Sequence, residues 1–181
     1  MVMADFLKSN VIKVVELYPN EAEDLVKFDE AMGEKIIVEE NYHLGRYPQV
    51  GATQQEGRYG LLLDKEGVIA VAARQKGEIL GYALAVRCKS FKADTFPAKD
   101  MNDFRKAICV TLLGLDSELS HLELIINDLK NRLDADRYQR LVINVPEDNL
   151  PLLKRLKTMG FTATALVPDY YGNLDSIFME Y

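Results

Sequence analysis

The stretch that decides the fold is residues 140–181, RLVINVPEDNLPLLKRLKTMGFTATALVPDYYGNLDSIFMEY. It divides into an apolar strand at Leu141–Val145, a helix opened by Asn149, a break at Met159-Gly160-Phe161, a strand at Thr162–Val167, a tyrosine-bearing loop and a closing strand at Ser176–Tyr181. Asn149 suits a helix start because its side-chain oxygen accepts from N–H groups that the first turn leaves free, and Pro151 is tolerated where no donor is needed. Gly160 suits the helix end, where the chain commonly turns through the left-handed region.

Working outward, Leu122, Ile125, Ile126, Leu129 and Leu133 recur at helical spacing, which predicts a helix from Ser120 to Arg137 with one apolar stripe. Ala107–Leu115 (AICVTLLGL) is almost wholly apolar, the pattern of a strand buried on both faces. Gly67–Gln75 and Ile79–Ser90 read as a hairpin joined by Lys76-Gly77-Glu78. Val11–Leu17 predicts a strand, and Glu21–Lys35 a helix carrying Leu25, Phe28 and Met32. Asn41–Gly60, rich in Gly and Gln, reads as a loop whose Tyr42, Tyr47 and Tyr59 either line a cleft or pack on the surface. Phe91–Asn102 reads as a further loop or insert. The order β-α-β-β-β-α-β-α-β-β predicts an α/β (α+β) fold, a mixed central sheet of about seven strands with helices on both faces. A single domain is expected over residues 1–181, with residues 8–90 forming one part and 107–181 the other.

The composition narrows the function. Of the 181 residues, 48% are apolar and 28% charged, an ordinary balance for a folded domain. A net charge of −6 argues against nucleic acid or an anionic membrane as the main partner. No apolar run is long enough to span a bilayer, and Met1–Asn10 has no signal-like core, so a cytoplasmic protein is expected. Cys88 and Cys109 sit in apolar runs without histidine neighbours and read as reduced, buried thiols. His43 and His121 are far apart, and no metal is expected.

Three motifs in chain order resemble those of the GNAT N-acyltransferases. Glu78-Ile79-Leu80-Gly81-Tyr82-Ala83 is similar to the family's third strand. Asn149, seven residues before Leu156 and followed by Met159-Gly160-Phe161, resembles the family's asparagine-led helix. Pro168–Met179 resembles the double-tyrosine tail of the protein N-terminal acetyltransferases. The resemblance covers Val11–Tyr181 and is tightest from Glu78 onward. It implies transfer of an acetyl group from acetyl-CoA to a primary amine, on a small molecule or a peptide, by direct attack in a ternary complex. The strand ending at Leu115 would bond the pantetheine through its backbone, at Leu113 and Leu115. Ser120, His121 and Leu122 would offer helix N–H groups to the diphosphate, and Asn149 completes the cofactor-binding set. Tyr170, Tyr171 and Glu78 are the candidate catalytic groups; Glu147, or a water held by backbone carbonyls, is an alternative base. A homodimer is left open.

Two departures stand beside the resemblance. The family's diphosphate loop carries glycines, whereas Asp116–Glu123 (DSELSHLE) has none, and Ser120-x-x-Glu123 reads as a capping box that closes the helix end from within. The family's tyrosine acid is replaced by Leu156, which has no proton to give. Two functions therefore follow: an acetyltransferase with an atypical, degenerate diphosphate loop, or a catalytically silent module that binds a partner or ligand in the same cleft.

Overall fold

A computed structural model describes residues 11–31, 35–39, 52–87, 107–136, 138–168 and 175–181. The described elements are β1 (Lys13–Glu16), a 3-10 turn at Pro19–Glu21, α1 (Ala22–Ala31), β2 (Lys35–Glu39), α2 (Ala52–Leu63), β3 (Val68–Gln75), β4 (Glu78–Arg87), β5 (Ala107–Asp116), α3 (Leu122–Asp136), β6 (Arg140–Pro146), α4 (Leu150–Thr158), β7 (Thr162–Val167) and β8 (Ser176–Glu180). Seven strands run in the order β1-β3-β4-β5-β6-β8-β7, and β2 joins the sheet by pairing with β5. The β5–β6 pair is parallel, as a crossover through α3 requires. The other pairs are antiparallel. The mixed sheet with helices on both faces is the fold the sequence predicts.

Hydrophobic periodicity explains the layers. The α3 stripe of Leu122, Ile125, Ile126, Leu129 and Leu133 is buried with Leu152, Leu153 and Leu156 of α4. Both helices cover Ile108, Val110, Leu113 and Leu115 of β5 and Leu141, Ile143 and Val145 of β6. On the other face, Leu25 and Phe28 of α1 and Tyr59 of α2 pack with Ala72, Tyr82, Leu84 and Leu112. Lys76 (φ 53°) and Gly77 (φ 90°) both take the left-handed backbone that a two-residue hairpin turn demands.

The structure corrects two expectations. The helix predicted to reach Lys35 is described over Ala22–Ala31, Met32 lies outside the described residues, and Lys35–Glu39 forms a strand instead; the β-branched run Ile36-Ile37-Val38 fits a pleated ladder better than a helix. Residues 52–63, most of which fall in the predicted loop, form α2. A glycine in a helix costs about 1 kcal/mol relative to alanine, and burial of Tyr59 at 4% exposure offsets Gly57 and Gly60. Cys109 is buried. Cys88, Tyr42, Tyr47, His43 and Phe91–Asn102 lie outside the described residues.

Candidate functional site

The parallel pair parts half-way along its length. The β5–β6 ladder runs from Ala107↔Arg140 to Val110↔Ile143. β5 then continues to Asp116 and β6 to Pro146 without pairing to each other. β6 remains bound on its far edge to β8 through Pro146↔Ser176. One edge of β5 is taken by β4, whose Tyr82, Ala83 and Leu84 lie opposite Gly114, Leu113 and Leu112. The second edge, beyond Thr111, carries β2 in the register Glu39↔Leu112 to Lys35↔Asp116.

Topology gathers the candidate residues at the carboxyl end of this pair. Leu113 and Leu115 are fully buried near the end of β5. Glu78 is exposed at the start of antiparallel β4, and so at the same end of the sheet. Asn149 follows β6 and accepts a hydrogen bond from Leu152 N–H at 3.3 Å as the N-cap of α4. Tyr170 and Tyr171 lie outside the described residues, but the strands that flank them meet at this end: Val167 pairs with Ser176, and Glu147 N–H donates to Asp175 C=O at 3.0 Å.

The entry to α3 is not the expected capping box. The Asp116 carboxylate accepts from Ser120 N–H at 2.9 Å, taking the donor that Glu123 would hold in such a box. Glu123 instead faces Arg155 of α4 at 3.3 Å. Leu119 has φ 59° while its side chain is buried at 7% exposure. Leu119 N–H donates to Asp116 C=O and Leu122 N–H to Leu119 C=O. The loop therefore does contain the left-handed residue that favours glycine, but it is a leucine pinned into the core. His121 is half-buried, its carbonyl accepting from Ile125 N–H.

Behind β5 lies a polar cluster that sequence reading missed. Tyr59 Oη donates to Asp29 at 2.5 Å, Tyr82 Oη to Asp29 at 3.1 Å, and the two phenols are 2.9 Å apart. Burial, with Tyr59 and Asp29 alongside, pushes the Tyr82 phenol well above its ordinary value, so it remains a donor at neutral pH. The Tyr82 ring lies over Gly114, where a Cβ would stand 2.3 Å from it. Gly114, quoted within an apolar run, was the signal in the sequence that a large side chain crosses β5 there.

No family model and no curated protein matches the chain. Solved structures do match it over nearly its whole length. An N-acetyltransferase from Staphylococcus aureus Mu50 superposes with a TM-score of 0.66 at 14% identity, over 95% of this chain and 98% of that one. The ribosomal-protein-S18-alanine N-acetyltransferase of Escherichia coli does so with 0.62 at 12%, over 94% and 92%. YncA of Salmonella typhimurium, solved with its cofactor acetyl-CoA, gives 0.62 at 16%, over 95% and 94%. The fold is that of the GNAT acetyltransferases. Leu156 is fully buried in the core with Leu152 and Leu153 of the same helix. A hollow of about 580 Å³ lined by Asn127, Lys130, Tyr138 and Tyr181 lies at the opposite, amino-terminal end of β6. Its Lys130 is engaged, donating to Met159 C=O at 2.8 Å and standing 3.5 Å over the Tyr181 ring. Among the described residues, no cluster of His, Cys, Asp and Glu is placed to hold a metal.

Proposed function

We propose that the protein is an acyl-CoA-dependent N-acetyltransferase whose acetyl-CoA lies between β5 and β6. The observation that carries this reading is the parting of the parallel pair after Val110 and Ile143, in the strand that leads into α3. Past that point this edge of β5 is released from β6 and carries β2 instead; a strand edge presents alternating N–H and C=O groups, which match the amides of an extended pantetheine once β2 is displaced. Leu113 and Leu115 would supply those groups, and Ser120, His121 and Leu122 the diphosphate contacts, once Ser120 N–H leaves the Asp116 carboxylate and Leu122 N–H the Leu119 carbonyl. Asn149 fixes the adjoining turn by capping α4. The amine nitrogen attacks the thioester carbonyl, the C–N bond forms, the C–S bond breaks and the thiolate leaves with a proton. Glu78 is the proposed base for the amine proton, and Tyr170 or Tyr171 the proposed donor to sulfur. The acceptor is a primary amine on a small molecule or peptide.

A second reading, a silent ligand-binding module, is favoured by the self-bonded loop at Asp116–Leu122 and by the apolar Leu156. Release of free CoA thiol, followed with acetyl-CoA and a panel of polyamines and peptide amines, separates the two. Amine-dependent release supports the enzyme; saturable acetyl-CoA binding without release from any amine supports the module.

A further inference from the structure

β5 has two edges, and β4 holds one of them at Leu112–Gly114. β2, paired with Leu112–Asp116, must therefore lie on the edge that faces β6, in the gap where the ladder to β6 has ended. It also comes within 8 Å of β6, Cα to Cα. We propose that β2 is a built-in occupant of the pantetheine channel, an autoinhibitory strand that acetyl-CoA must displace. This rests on the acetyl-CoA reading above.

Three observations support it. The occupied stretch of β5, Leu112–Asp116, includes both backbone positions, Leu113 and Leu115, assigned to pantetheine. The occupant is of the same chemical kind as the ligand, an extended chain whose amides bond to a strand edge. β2 has only 5 residues, and among the described residues its ladder is to β5 alone, so a single short ladder holds it. A ligand that binds only the open form has its apparent affinity reduced by the fraction of molecules that are open. The chain is thus in its closed form here, and weakening β2 raises acetyl-CoA affinity without touching the site.

The test joins amide hydrogen exchange with two variants, Ile36→Pro and Ile37→Pro, made separately. Adjacent N–H groups of a strand point to opposite edges, so one of the two prolines removes a bond to β5. Circular dichroism and the thermal midpoint report whether each variant is folded. In the wild-type chain, saturating acetyl-CoA is expected to speed exchange at residues 35–39 while residues 112–116 stay protected, because the ligand replaces the strand. One proline variant is expected to bind acetyl-CoA about tenfold more tightly or better. Acetyl-CoA binding with unchanged exchange at 35–39 would overturn the strand's role and leave the acetyl-CoA reading standing. No binding to the wild-type chain or to either folded variant would overturn both. Because the exchange measurement uses the wild-type chain, an unfolded variant does not remove the test.

Discussion

Two strand-to-helix connections lie side by side at the carboxyl end of the parallel pair, and they are built in opposite ways. β6 enters α4 through Asn149, whose side chain caps Leu152 N–H, with Pro151 in the first turn. β5 enters α3 through Leu119 in the left-handed region, with an acidic side chain holding Ser120 N–H. A left-handed non-glycine residue costs about 1 kcal/mol or more, so the first connection contributes stability and the second uses some. The strand before the strained connection is also the one whose edge changes partner part-way, from β6 to β2. On the proposed reading, the β6–α4 turn serves structure and the β5–α3 turn serves the ligand.

The largest expected effect is at the support of the strained side. Gly114→Ala sets a Cβ 2.3 Å from the buried Tyr82 ring. It is expected to lower stability by about 1–3 kcal/mol or more, as other overpacked cores do, read from the urea midpoint. A neutral Gly114→Ala would mean that Tyr82, Tyr59 and Asp29 do not fix the back of β5. Asn149→Ala is expected to cost about 1 kcal/mol, the usual loss for an N-cap. If acetyl-CoA affinity falls while stability does not, Asn149 meets the ligand and the structural half of the contrast breaks. Asp116→Asn retains an acceptor for Ser120 N–H and removes a negative charge from the proposed diphosphate position. A like-charge contact near a surface is worth on the order of 1 kcal/mol, so acetyl-CoA affinity measured by calorimetry should rise about fivefold. Unchanged affinity would show that the acidic loop does not oppose the ligand.

What was legible in the chain follows the same division. α3, α4, the β3–β4 hairpin and the apolar strands were readable because each carries a local period or turn signal, and Asn149 and Gly160 mark the ends of α4. β2 was not readable. Lys35–Glu39 is a short apolar run directly after a helix, and such a run does not declare its type; its partner, Leu112–Asp116, lies some seventy residues on. α2 was hidden by Gly57 and Gly60, neither of which the packing requires, since an added Cβ meets nothing within 4 Å at either. Tyr59 belongs to the core because Asp29 and Tyr82 reach it from other elements, a contact that periodicity does not report. The site was half legible: the apolar end of β5 and the missing glycines of Asp116–Glu123 were visible, whereas the left-handed Leu119, the carboxylate that holds Ser120 and the strand across the gap are tertiary facts.

The gap between β5 and β6 is proposed to take acetyl-CoA. Thermal melting of the full chain at millimolar acetyl-CoA, with an equal concentration of AMP as control, tests it most directly. Ligand at ten times its apparent dissociation constant stabilises the folded state by about 1.4 kcal/mol. For a domain of this size, that raises the midpoint by about 3–6 °C. That rise with acetyl-CoA and not with AMP is the predicted result; equal midpoints with and without acetyl-CoA, in the wild-type chain and in the folded β2 proline variants alike, would contradict it.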